Sequence, residues 1–165
     1  MGLTPNFSRN DIHSVIQKKL QTWEKAVLNT LFYLGEQCVN IGRSTNTYRD
    51  QTGNLRNSIG YLVLKYGVVV RSNFRPTAQI TVAVKGNRKF RSTRGGLSGA
   101  VAGLAMAKRL AAEYAQGYVL IVVAGMNYAV SVESRGLDVL TSAEQEAKTE
   151  LPKLLRSLKL DAQAR

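Results

Sequence analysis

The chain predicts an α+β fold: a long N-terminal helix packed on a small, mainly antiparallel β-sheet, with an inserted basic loop plus helix and a C-terminal helix. Three patterns carry this. Apolar residues recur at helical period over the first forty or so positions. The period then switches to two beyond Ile59. An alanine-rich stretch, an apolar run and a capped helical pattern follow in turn. With 165 residues and 44% hydrophobic content, the chain reads as one domain over 1–165, large enough to bury a core.

The first helix opens at Ser8-Arg9-Asn10-Asp11, a short polar side chain three residues ahead of an acid. Its stripe is Ile12, Ile16, Leu20, Trp23, Val27, Leu31, Leu34, Cys38 and Ile41, with Gln17, Lys18, Gln21, Lys25 and Glu36 off it. Gly42 reads as its stop. At roughly 45 Å such a helix is long for a small domain. Either the sheet covers the whole stripe or part of it meets another subunit.

A polar segment, Ser44–Ser58, follows, with Asp50 and Gly53 as turn residues. Ile59–Lys65 and Val68–Arg71 then flank Tyr66-Gly67 as a hairpin. Ala78–Val84 reads as a further strand. Lys85–Gly99 breaks all periodicity, and 85–116 reads as a basic inserted arm running into an alanine-rich helix from Ala100. Tyr118–Ala124 is continuously apolar, as in a central strand buried on both faces. Asn127–Arg135 reads as a short helix stopped by Gly136. Thr141–Glu144 forms a second capping box, and the helix it opens runs toward Leu158, with Pro152 suggesting a kink or break and 159–165 a frayed tail.

Charge is segregated. The formal net charge is +12, and Gln51–Ala112 holds no acid beside Arg56, Lys65, Arg71, Arg75, Lys85, Arg88, Lys89, Arg91, Arg94, Lys108 and Arg109. The rest of the chain holds 12 basic and 11 acidic residues. A single-sign segment attracts polyanions, whereas a merely basic surface mixes both signs. Of that segment, Lys85, Arg88, Lys89, Arg91 and Arg94 lie in the arm and are the candidate DNA- or partner-facing residues.

Catalytic chemistry is poorly supplied. His13 and Cys38 are the sole residues of their types and lie about seven turns apart on one helix. Metal sites need converging His, Cys or carboxylate ligands, so none is expected unless Asp50, Glu113 and Glu133 meet in space. Gly95-Gly96-Leu97-Ser98-Gly99 lacks the GxxxxGK[ST] spacing of a phosphate loop and reads as flexibility. Gly99-x-x-x-Gly103 is a close-packing signal. No catalytic residue, cofactor or enzyme activity is expected. The opening MGLTPNFSRNDIH lacks the pattern of a signal peptide, and no apolar run is long enough to span a bilayer, which points to synthesis in a cytoplasm.

Two segments carry a resemblance. One is Tyr48-Arg49-Asp50-Gln51-Thr52-Gly53-Asn54-Leu55-Arg56-Asn57-Ser58-Ile59. The other is Gly125-Met126-Asn127-Tyr128-Ala129, continuing through Val132-Glu133-Ser134-Arg135-Gly136 to Asp138-Val139-Leu140. Together with the long helix they resemble the head–tail joining, or tail-completion, proteins of the neck of tailed bacteriophages. The resemblance implies a structural virion protein, made in the bacterial host cytoplasm. It would form a homo-oligomeric ring, sixfold or alternatively twelvefold, that touches connector and tail proteins and passes genome DNA through its lumen, with no membrane. It marks Asp50, Thr52, Gly53, Leu55, Ile59, Tyr128, Glu133 and Gly136 as structural rather than catalytic. In the residues' own terms, Thr52-Gly53 permits a positive-φ turn, Leu55 and Ile59 anchor it, and Tyr128 and Val132 lie four apart. The stretch 85–116 departs from the family pattern as an insertion. The competing reading is a nucleic-acid-binding module without sequence preference, gripping phosphates through the basic arm.

Overall fold

The computed structural model describes residues 8–48, 50, 53–75 and 95–163. The predicted strand Ala78–Val84 and the basic residues Lys85, Arg88, Lys89, Arg91 and Arg94 lie outside the described residues, as does Thr52.

The fold is α+β, as the sequence predicts. Helix α1 (Arg9–Ser44) opens with the predicted capping box: Asp11 N donates to Ser8 Oγ at 3.2 Å and Ser8 N to Asp11 Oδ2 at 2.8 Å. It spans 36 residues, about 54 Å. Gly42 is not its stop. Gly42 is buried inside the last turns, where a Cβ would press on the Val139 carbonyl, the Ile59 side chain and Leu140. Close approach, rather than termination, is the reason for glycine there.

A short helix, α2 (Asn54–Ser58), replaces the irregular segment expected before the first strand. Gly53 precedes it with φ +71, the left-handed conformation that the sequence reading allowed. Strands β1 (Ile59–Lys65) and β2 (Val68–Asn73) then form the predicted hairpin. Its turn residues Tyr66 and Gly67 have φ of 48 and 77, the left-handed pair that suits the strand twist of a two-residue hairpin.

Helix α3 (Gly95–Ala111), β3 (Tyr118–Ala124), α4 (Ala129–Glu133) and α5 (Thr141–Gln163) complete the described chain. Among the described residues the three strands form one antiparallel sheet in the order β2-β1-β3, in which the central position falls to β1, not to Tyr118–Ala124. β3 is apolar throughout because helices cover both of its faces at the sheet edge: Ile121 and Val123 pack toward α3, and Leu120 and Val122 toward α1 and α5.

The layers follow the alternation of β1. Ile59, Tyr61 and Val63 enter the cluster that contains Val27, Leu31 and Val39 of α1. Leu62 and Leu64 enter the cluster that contains Ala107, Leu104 and Leu110 of α3. α5 lies beside α1 and runs antiparallel to it. Ala143 and Ala147 pack with Leu34 and Cys38, whereas Leu158 packs in the cluster of Val27 and Leu31.

Three expectations need correction here. Gly95–Gly99 is helical rather than a flexible loop, and 95–111 is a core helix rather than part of an arm, with Ala107 fully buried. A Cβ on Gly99 would collide with the Asn54 carbonyl, and one on Gly103 with the Ser58 carbonyl, so α3 lies directly on the backbone of α2. The close-packing reading of Gly99-x-x-x-Gly103 therefore holds. Pro152 does not break α5. It is exposed, so water can satisfy the carbonyl one turn earlier that loses its amide partner. The residues from 159 expected to fray continue the helix through Gln163.

The Gly53 conformation yields a direct test. Gly53→Val should destabilise the fold by about 1–3 kcal/mol, whereas Gly53→Asn, a residue that tolerates the left-handed region, should cost much less. Equal melting temperatures for parent and Gly53→Val would show that the turn bears no strain.

Candidate assembly surface

The two resemblance-bearing segments meet. Tyr48, Leu55 and Ile59 from the first share one buried cluster with Ala129 and Val139 from the second. Thr47 Oγ1 donates to the Asp138 carbonyl at 2.9 Å, and Gly125 N donates to the Ser58 carbonyl at 3.3 Å. Far apart in sequence, they form one structural knot at the C-terminal end of α1.

Each motif residue in the knot has a mechanical job. Asp50 Oδ2 accepts from the Arg56 amide at 3.0 Å, closing the turn over α2. Leu55 and Ile59 are buried anchors. Glu133 Oε1 accepts from the amides of Leu140 and Thr141 at 3.1 and 3.0 Å and from Thr141 Oγ1 at 2.7 Å. Asp138 Oδ1 takes the Ser142 amide at 3.1 Å. The start of α5 is thus capped by two carboxylates from the preceding segment, which also suit the positive end of the helix. The expected Thr141–Glu144 box is not the cap: Glu144 N bonds to the Leu140 carbonyl at 2.8 Å. Gly136, with φ +77, turns the chain so that Glu133 can reach α5. Val132 packs against the core cluster, and Tyr128 is 40% exposed.

Among the described residues no group of three or more His, Cys, Asp or Glu side chains is placed to hold a metal, so Asp50, Glu113 and Glu133 do not converge on one. Cys38 is buried, and burial pushes its thiol pKa up, away from reactivity. Among the described residues no helix is long and apolar enough to cross a membrane.

The surface tells more than the core. From Ser8 to Trp23 every residue of α1 and its cap is exposed, and the first buried position is Val27. The sheet therefore does not cover the whole stripe. Ile12, Val15, Ile16, Leu20 and Trp23 are 45–60% exposed, an apolar band about 17 Å long on the helix. The buried end of the band is anchored. Trp23 meets the edge of Tyr118 with ring centroids 6.3 Å apart, and Tyr118 meets Tyr66 at 5.6 Å. Glu24 accepts from Tyr118 Oη at 2.9 Å and pairs with Lys65. Burial and the Glu24 bond push the Tyr118 phenol up to about 12, so it stays a donor.

Sequence reasoning missed the carboxylate hubs. Glu36 accepts from Tyr61 Oη at 2.8 Å and Asn73 Nδ2 at 2.7 Å and lies 3.6 Å from Arg71, whose guanidinium sits over the Phe32 ring. Burial first, and Glu36 second, raise the Tyr61 phenol to about 12. Glu24 and Glu36, the two acids of α1 beyond its capping Asp11, were the available signal. Asp11, Glu24, Glu36, Asp50, Glu133 and Asp138 are thus engaged within the fold.

Comparison with protein-family models, with curated proteins and with solved structures finds no match.

If Glu133 holds α5 in place, Glu133→Ala should lower stability by about 1–3 kcal/mol through its orphaned amides, and Glu133→Gln, which keeps an acceptor, by less. Equal losses for both variants in a denaturant melt would mean that the carboxylate oxygen bonds contribute little.

Proposed function

We propose that this chain is a structural protein of the bacteriophage neck, assembling as a ring at the head–tail junction around the DNA path and completing or joining the tail. The observation that carries this reading is the uncovered first half of α1. A stable helix that projects an apolar band beyond its own domain is an assembly element, because exposed bands of this kind mark protein contact sites. Three further features support it. The resemblance-bearing segments build one rigid knot that caps, turns and anchors, and the described residues contain no metal-ligand group. The acids are largely engaged internally. The basic surplus lies in a stretch whose densest part is the inserted arm.

In this role the ring has sixfold symmetry to match the tail, with twelvefold as the alternative on a portal-like ring, since closed symmetry is the rule for such assemblies. Its neighbours are connector and tail proteins, and its place is the virion. Rings can require a neighbour as template, so the decisive test is copy number and position in assembled particles. Six or twelve symmetric copies at the neck support the reading, and an asymmetric or low-copy position sinks it. Ile16→Lys with Leu20→Lys should abolish incorporation while leaving the melting temperature unchanged, as both side chains are exposed.

Lys85, Arg88, Lys89, Arg91 and Arg94 would face the DNA path or an acidic neighbouring ring. A passage for moving DNA should bind it weakly and without sequence preference. Replacing Arg88, Lys89, Arg91 and Arg94 with Ser should lower the slope of log affinity against log salt by up to about 3–4 units. Absence of salt-sensitive DNA binding by the assembled ring would reject the DNA role and leave docking to an acidic protein surface.

A further inference from the structure

The end of the sheet beside Glu24 carries a line of aromatic rings that packing does not use up. Trp23 meets the edge of Tyr118, and Tyr118 meets Tyr66. Trp23 is 46% exposed and Tyr66 59%, so the two outer rings keep open surface, while the inner ring, Tyr118, is half-buried and held by Glu24. The loop after α3 lies against the same hairpin turn. Tyr66 N donates to the Gly117 carbonyl at 2.8 Å, and Tyr114 on that loop is exposed as well. Among the described residues Tyr66 is the one non-glycine residue with positive φ. Asn is favoured at that position of a two-residue hairpin, and a bulky side chain there is an outlier. Backbone strain of this kind collects at ligand clamps. A ring held there against backbone preference and left mostly in water is not explained by packing.

The charge around the rings is predominantly positive. Lys18, Lys19 and Lys25 on α1 are exposed, and so are Lys108 and Arg109 in the last turn of α3. That turn ends on this side of the sheet, since Ala107 and Leu110 pack in one cluster with Leu64. Of the nearby acids, Asp11 caps α1, Glu24 is taken up by Lys65 and Tyr118, and Glu113 is exposed.

We infer that this end of the molecule binds single-stranded nucleic acid, with unpaired bases stacking on Tyr66 and Trp23 and the exposed cations of α1 and α3 meeting the phosphates. Base faces stack on aromatic rings without sequence preference. A duplex hides its base faces, so a surface for duplex alone needs the cations and not the rings. An acidic protein surface would also answer the charge. Each nucleotide, however, joins one flat π-face to one negative charge, the pairing that rings set among cations match. The site is complete within one chain and does not rest on the neck reading.

Trp23 is the sole tryptophan, so its emission reports on the site. The test is titration of the purified full chain with a short oligothymidylate, with a duplex of the same length and with polyglutamate, read by Trp23 emission and by anisotropy of the labelled ligand. Oligothymidylate should quench Trp23 saturably and bind more tightly than the duplex. Tyr66→Asn, which suits the turn better than tyrosine, should keep the fold and weaken oligothymidylate binding roughly fivefold or more, while leaving duplex binding unchanged. Tyr66→Phe, which keeps the ring, should bind like the parent. Lys108→Ser with Arg109→Ser should lower the slope of log affinity against log salt by up to about 1.4. Equal oligothymidylate affinity in parent and Tyr66→Asn would overturn the site, because binding would then lie on other cations. Duplex binding as tight as oligothymidylate binding would overturn the role of unpaired bases, and absence of binding would overturn both. Polyglutamate that quenches Trp23 and displaces the oligonucleotide would assign the surface to an acidic protein instead. None of these outcomes bears on copy number at the neck, which tests the neck reading separately.

Discussion

Everything described in this fold depends on β1 being buried on both faces. Ile59, Tyr61 and Val63 face α1, and Leu62 and Leu64 face α3, so one strand of seven residues ties the two layers together. The constraint is tight enough to be felt in the glycines. Gly35 leaves room for the Tyr61 ring, and the Tyr61 hydroxyl then reaches Glu36 on the same helix. Gly103 leaves room for the Ser58 carbonyl at the opposite side of the strand's start. An interior packed this closely cannot slide, and the direction of α1 is fixed accordingly. The direction in which its uncovered half projects follows from that.

The placement of the carboxylates follows local hydrogen-bonding need. Carboxylates are placed where amide groups or cations would otherwise lack partners: at the start of α1, over α2, at the start of α5, and at the Tyr61 and Tyr118 hydroxyls. Glu113, Glu144 and Glu146 stay exposed, yet the net charge of +12 suits a polyanion or an acidic counter-surface.

Much of this was legible in the sequence where local rules decide. The Ser8–Asp11 cap, the length of α1, the Tyr66-Gly67 hairpin and the left-handed Gly53 all follow from short-range chemistry. The uncovered stripe was legible too, as a helix longer than its domain. Tertiary contacts overrode local rules elsewhere. Gly95–Gly99 joined a helix because α3 lies on the α2 backbone, and Gly42 stays inside the last turn of α1 because Val139 approaches it. β3 was read as central because its apolar run records coverage by helices, which an edge strand can also have. Glu133 could not be recognised as the cap of α5, since its partners lie seven and eight residues away across a turn.

The central claim is that the first half of α1 is a contact surface rather than a free-standing helix, and amide hydrogen exchange reads this residue by residue. Exchange is followed in dilute and concentrated protein and in assembled particles. Protection over residues 12–23 should rise on association, while residues 27–44, already packed on the sheet and α5, stay constant. Protection of 12–23 that is identical in all three states would contradict the account.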